Sequence, residues 1–190
     1  DMVIKNLSKL PVEYIFVSGN HDSPNTVEML TAVENVTILD GEMINVKGIN
    51  ILGFPDPRSA TLNIDSSDQV DNLKLNLTIR DKLRNLNENP DILAVHDPDA
   101  TAGLAGLVPI ILNGHVHKAS LIEEKGSLII NTGTTGAAGI RGIQSKNDIP
   151  YSAILLYFKS HEDLKKPHLF AADIIKISNF KAGFQVERIF

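Results

Sequence analysis

The sequence predicts an α/β fold in which a mixed sheet, backed by helices, is joined by a second, β-rich sheet. Three observations lead there. Over the first two thirds of the 190 residues, short apolar runs rich in β-branched residues alternate with segments of helical spacing. The last third is almost wholly strand-like. Polar residues gather just after buried runs, as they do where loops converge at the carboxyl ends of strands in an open sheet.

Each element has its own warrant. Met2, Val3, Leu7 and Leu10 have helical spacing, and Val12–Val17 (VEYIFV) reads as a buried strand. Pro24 opens a helix over NTVEMLTAV, as proline does in a first turn. Three short strands follow, VTIL (36–39), EMINV (42–46) and INILGF (49–54), the last two joined by a Lys47-Gly48 hairpin turn. Residues 55–69 are polar and turn-rich and read as a surface loop. Val70, Leu73, Leu77, Leu83 and Leu86 mark an amphipathic helix that Pro90 ends. DILAVH is a buried strand, DATAGLAGL a short helix, and VPIILNGH a further strand. ASLIEE, SLIINT, YSAILLYF, LFAADIIKI and FQVERIF read as an antiparallel set. No repeat or low-complexity segment interrupts the chain, which reads as one domain over residues 1–190.

Bulk composition narrows the function. The net charge of −5 and the lack of any Lys/Arg cluster exclude the basic footprint of a nucleic-acid backbone site. With no cysteine, disulfide frameworks and thiolate metal sites are ruled out. No apolar run reaches the ~18 residues of a membrane span, and DMVIKNLSKL lacks the basic start and apolar stretch of a signal peptide. A soluble chain is the expectation.

Chemistry concentrates at three strand ends: Asn20-His21-Asp22, His96, and Gly114-His115-Val116-His117. Neutral imidazole is the commonest protein ligand for divalent transition metals. In an extended GHVH segment, His115 and His117 would share one face. Asn20 could add a carbonyl oxygen, and His21 could donate a proton or contact phosphate. Asp22, just before Ser23-Pro24, also fits as a helix N-cap. Arg58 is a candidate phosphate contact because guanidinium binds phosphate bidentately; Arg141 is a weaker one. The Gly-rich run of residues 132–139 follows a strand and reads as a flexible loop.

In this order, Gly19-Asn20-His21-Asp22, His96 and Gly114-His115-Val116-His117 resemble the third, fourth and fifth motifs of the calcineurin-like metallophosphoesterases. The resemblance runs from about Leu10 to Gly142. It implies a four-layer αββα sandwich with a dinuclear site of Mn, Fe or Zn type. Carried over, Asn20, His96 and His115 would hold one ion and His117 the other. His21, oriented by Asp22, would protonate the leaving oxygen while metal-bound hydroxide attacks a phosphomonoester or phosphodiester. The texture of VHDPDATAGLAGLVPIILNGHVHK also resembles a bacterial subgroup whose membrane-spanning region precedes the catalytic domain.

The family's first two motifs, Asp-x-His and Gly-Asp, have no counterpart in the 18 residues before Gly19. The sandwich is therefore expected to be truncated, a C-terminal portion of a phosphoesterase that is weak or inactive alone. Asn20 and three imidazoles form a neutral half-site, better suited to Zn²⁺ or Ni²⁺ than to Mg²⁺ or Mn²⁺, and expected to hold one ion or none. An uncovered sheet edge would favour a homodimer or strand exchange. The competing function is a non-catalytic interaction module that keeps the fold.

Overall fold

Apolar β-branched runs too short for helices, punctuated by Gly, Pro and Asn, become the strands of a six-stranded sheet. The computed structural model describes residues 2–60, 68–136, 150–160, 166–179 and 183–190. In it β4 (Ile49–Phe54), β5 (Ile92–Val95), β6 (Ile110–Asn113) and β8 (Ser127–Thr132) run parallel side by side. Antiparallel strands close both edges: β3 (Met43–Val46) on β4 and β7 (Ala119–Glu124) on β8. The β3–β4 hairpin turns at Lys47-Gly48, both at positive φ (52° and 89°), the geometry whose twist matches paired strands. The alternation of strand and crossover read from the sequence is thus what builds this sheet.

A second sheet, in the order β11 (Gly183–Arg188), β10 (His168–Asn179), β9 (Tyr151–Lys159), is antiparallel throughout. Its Ile154, Leu156, Phe158 and Leu169 pack on Ile92, Ile110 and Ile130 of the larger sheet. The expectation of one antiparallel set from Ala119 onward is corrected. β7 and β8 belong to the larger sheet, because β8 pairs in parallel with β6. Strand patterning fixes which residues turn inward, and not which neighbour a strand takes.

On the opposite face of the larger sheet lies α3 (Asp68–Asn85), so the layers run helix, sheet, sheet. Ile79 of α3 is fully buried with Leu52, Leu93 and Ile111, and Leu75, Leu83 and Leu86 pack around them. The buried face is therefore 72, 75, 76, 79, 83 and 86, with Asn72 and Asn76 in the core. The apolar stripe expected inside is turned out over its first half: Leu73 is 61% and Leu77 58% exposed. Leu73 and Leu77 lie across the helix from Leu83 and Leu86, so one stripe cannot hold both pairs. Asn72 donates to the Asp97 carboxylate at 3.0 Å, and Asn76 to the carbonyls of Ala100 and Ala102 at 2.8 and 3.0 Å. Those bonds add to a rotation that Leu75, Ile79, Leu83 and Leu86, spaced at i, i+4, i+8 and i+11, already select. Accordingly, Ile79→Ala is expected to cost about 2–5 kcal/mol in a urea titration. Leu73→Lys and Leu77→Lys should each change stability by only about 0.5 kcal/mol.

The amino-terminal region is a smaller unit. After α1 (Met2–Leu7), β1 (Tyr14–Phe16) pairs in parallel with β2 (Val36–Ile38), and α2 (Pro24–Thr31) connects them. β1 is shorter than the Val12–Val17 run expected, and among the described residues it pairs with β2 alone. Asn35 ties α1 to this unit through bonds to the carbonyls of Leu7, Leu10 and Val12. Ser23, not Asp22, caps α2: its side chain accepts the Thr26 N–H at 3.2 Å. DATAGLAGL forms only a single tight turn at Pro98–Thr101, capped by Asp97. Among the described residues no helix is long and apolar enough to cross a membrane.

Candidate metal centre

Three strand ends meet where β1, β5 and β6 run out. Backbone bonds stitch the loops together: Asp56 N–H donates to Ser18 C=O at 3.0 Å, and Gly114 N–H to His96 C=O at 2.9 Å. Buried asparagines support the strand ends from behind. Asn113 donates to Val95 C=O, and Asn131 to Gly114 C=O. This frame brings Asn20, His96 and His115 together. His96 Nε2 lies 3.0 Å from Asn20 Oδ1 and 3.3 Å from His115 Nδ1, with the two rings edge-on at 5.2 Å between centroids.

Two atoms bound to one ion at Zn–N or Zn–O lengths, at tetrahedral or octahedral angles, stand about 2.9–3.5 Å apart. Both separations from His96 Nε2 fall in that window, and an amide oxygen with two imidazoles is a donor set that suits a transition-metal ion. Two glycines make the room. A Cβ built on Gly19 would lie 2.7 Å from Cε1 and Nδ1 of His96, and one on Gly114 would lie 3.3 Å from that Nδ1. The His96 ring therefore stands between two backbone segments that no larger residue would leave open.

The GHVH segment is not the extended pair expected. β6 ends at Asn113, and Val116 N–H donates back to Gly114 C=O at 2.7 Å, a three-residue turn with His115 at φ 62°. His117 is also left-handed, at φ 56°. Positive φ costs a non-glycine residue energy and persists where surrounding structure enforces it, most often at functional sites. The turn aims His115 at His96. His117 stands outside this trio: among the described residues no three His, Cys, Asp or Glu side chains converge as a metal-holding group.

Of the other residues singled out by sequence, His21 is exposed at the same strand end and makes no hydrogen bond among the described residues. Asp22 does not orient it. Its carboxylate instead accepts the Gly19 N–H at 2.7 Å, closing the loop that presents Asn20. Arg58, expected at a substrate phosphate, turns inward to Asp56 and Asp97, 2.7 Å from each. Arg141, with residues 137–139 of the Gly-rich run, lies outside the described residues.

Sequence reasoning missed the carboxylates behind the imidazoles. Asp56 and Asp97 are both buried, and Asp97 Oδ2 lies 3.9 Å from His115 Nε2. Burial pushes His96 below the ordinary histidine range, against the pull of Asp56, Asp97 and Asp22, which leaves its ring neutral at pH 7 with a lone pair to offer. Burial alone would raise Asp97. The Asp99 N–H, the Asn72 amide, His115 and Arg58 together hold it below the usual carboxylate range. A signal did exist, since Asp97 directly follows His96 at the strand end. Beside the site a cavity of about 340 Å³ opens between β1 and the larger sheet, lined by Ile15, Val17, Ile51, Ile92 and Leu112 and bounded by His96 and Gly114.

No protein-family model matches the chain, and no curated protein sequence does. Among solved structures, a candidate 5′-nucleotidase from Staphylococcus aureus in complex with alpha-ketoglutarate is similar at a TM-score of 0.58 and 12% identity. That likeness covers 93% of this chain and 40% of that one, and it speaks for the fold alone. Vps29 from Entamoeba histolytica complexed with Zn²⁺ is similar at a TM-score of 0.42 and 15% identity, over 99% of this chain and 87% of that one. Vps29 from Chaetomium thermophilum gives a TM-score of 0.45 at 12% identity, over 99% and 86%. The fold is the mixed α/β, two-sheet class that the sequence led us to expect.

Proposed function

We propose that this chain binds one divalent transition-metal ion through Asn20 Oδ1, His96 Nε2 and His115 Nδ1, as the metal-holding part of a phosphoesterase site. The observation that supports it is the approach of Asn20 Oδ1 and His115 Nδ1 to His96 Nε2, at 3.0 and 3.3 Å, around a ring seated between two glycines. The substrate class is a phosphomonoester or phosphodiester. A bound cation would polarise the phosphoryl oxygens and offset the charge that develops on them. His21, exposed beside Asn20, would give a proton to the leaving oxygen. His117 would belong to a second ion.

The neutral half-site expected from sequence is revised in one respect. Two buried carboxylates and one guanidinium, Asp56, Asp97 and Arg58, leave one net negative charge behind the imidazoles. Zn²⁺ remains favoured over Mn²⁺, since no carboxylate oxygen is itself placed among the three donors. A second reading, an interaction module on the same fold, is favoured by the exposed apolar stripe of Val70, Leu73 and Leu77 on α3. Homodimerisation is proposed through the edge of β1 that has no partner among the described residues.

Elemental analysis after incubation with Zn²⁺ or Mn²⁺, followed by gel filtration, tests the reading. One equivalent of Zn²⁺ is expected, reduced to none by His96→Ala. No bound ion in the parent chain would leave the interaction module as the function. A screen against p-nitrophenyl phosphate and its bis-ester, repeated with excess Zn²⁺ and Mn²⁺, then measures any turnover.

A further inference from the structure

We propose that Asp97 is a positioning residue: its carboxylate holds the His115 ring with the proton on Nε2, so that the Nδ1 lone pair faces His96 and Asn20. The inference deepens the metal-site reading and rests on it for its purpose, though not for its geometry.

A neutral imidazole carries one proton, and which nitrogen holds it decides whether the other can be a ligand. The two nitrogens of His115 have different surroundings. Nδ1 lies 3.3 Å from His96 Nε2, inside the donor cluster, and Nε2 lies 3.9 Å from Asp97 Oδ2, on its outer side. At 3.9 Å the pair is longer than a direct hydrogen bond, and a ring shift of under about 1 Å or one bridging water closes it.

The carboxylate itself is fixed from three directions. Oδ2 accepts from Arg58 Nη2 at 2.7 Å and Asn72 Nδ2 at 3.0 Å, and Oδ1 accepts the Asp99 N–H at 3.0 Å. Asp56, almost wholly buried, takes Arg58 Nε and Nη2 at 2.9 and 2.7 Å and keeps the guanidinium from swinging away. An anion held this firmly at the rear of a ligand histidine is the arrangement that sets ring tautomer and raises ligand basicity in metal sites. Left to itself the ring would divide between tautomers, and the left-handed turn at His115 would aim a ring of which only part could bind.

Asp97 also caps the Pro98–Thr101 turn, so the test must separate positioning from folding. Long-range ¹⁵N–¹H correlation on histidine-labelled, metal-free protein reports the tautomer of each ring. In the parent chain His115 is expected as the Nε2–H form. In Asp97→Ala, which removes the oxygen that faces Nε2, that form should give way to a mixture with the Nδ1–H form. Zn²⁺ affinity should fall about 10–100-fold with it. Asn72→Ala keeps the Asp97 charge and removes one of its supports; it should lower the melting temperature yet leave the His115 tautomer in place.

An Nδ1–H His115 in the parent chain overturns the proposal without any variant, as does an unchanged tautomer in folded Asp97→Ala. A parent chain with Nε2–H His115 that takes up no Zn²⁺ supports the positioning by Asp97 and overturns only the metal-site function.

Discussion

Replacing Arg58 with alanine is expected to destabilise the protein by about 3–5 kcal/mol, the cost of breaking a buried ion pair from one side. For a chain of this size that corresponds to a fall in melting temperature of about 6–20 °C. The guanidinium sits between Asp56 and Asp97 with its side chain 10% exposed, and its nitrogens approach both carboxylates at 2.7 Å. Without it two buried anions face each other with no cation between them. The loss should depend on pH, and the sign can be worked out. In the parent, Asp97 is held below its ordinary value, so its contribution is present above the unfolded-state pKa and fades as pH falls through the folded one. In the variant, burial without Arg58 raises the same group, and acid relieves the unpaired charge. The gap between the two proteins should therefore narrow from pH 7 to pH 4.5. Thermal melts of both at each pH decide it: a difference of a degree or two that does not vary with pH would show that water screens the trio. Arg58→Lys should recover part of the loss, since one ammonium cannot serve both carboxylates with the same geometry.

That trio also marks the limit of what could be read beforehand. The strands were legible because alternation and turn residues leave a local imprint: Lys47-Gly48 between two apolar runs can only be a tight turn, and it is one. The face of α3 was legible only in its apolar members, Leu75, Ile79, Leu83 and Leu86. A hydrophobic pattern assigns asparagine to solvent, yet Asn72 is 4% exposed because a carboxylate from another loop waits for it. That partner lies 25 residues away, beyond the reach of any periodicity. Oδ1 of Asn72 is buried with no hydrogen-bond partner among the described residues, a cost that the bond to Asp97 must outweigh.

The site divides in the same way. Strand-end placement of Asn20, His96 and His115 followed from sequence, because polar residues after buried runs must emerge at the rim of a sheet. The backbone at His115 did not. Gly114-His115-Val116-His117 alternates as an extended segment would, and only the turn closed by Val116 shows that His115 reaches His96 through a left-handed residue. The negative charge behind the imidazoles was equally hidden. Asp56, Arg58 and Asp97 come from two loops about 40 residues apart, and each alone looks like an ordinary surface polar residue until folding buries all three.

Gly19→Ala is expected to abolish Zn²⁺ binding while leaving the protein folded. Gly19 does not adopt a left-handed conformation, so alanine brings no backbone penalty, and the whole effect is one of contact. Its Cβ would lie 2.7 Å from Nδ1 and Cε1 of His96 and 3.0 Å from Cγ, closer than side-chain carbons pack. The ring has to move. On its other flank Gly114 leaves only the space of a missing methyl, and the His96 carbonyl is tied to Gly114 N–H. Displacing Nε2 by about 1 Å breaks its spacing to Asn20 Oδ1 and His115 Nδ1 together, which should cost more than the ~10–100-fold that changes to outer partners of a ligand cost. The stability loss from such overpacking is expected at about 1–3 kcal/mol. Gly114→Ala, with its nearest contact at 3.3 Å, should need only a few tenths of an ångström and weaken binding far less. Calorimetric titration of Zn²⁺ into both variants orders them. If Gly19→Ala binds Zn²⁺ as tightly as the parent chain, His96 is not a ligand, and the glycines at these strand ends serve packing alone.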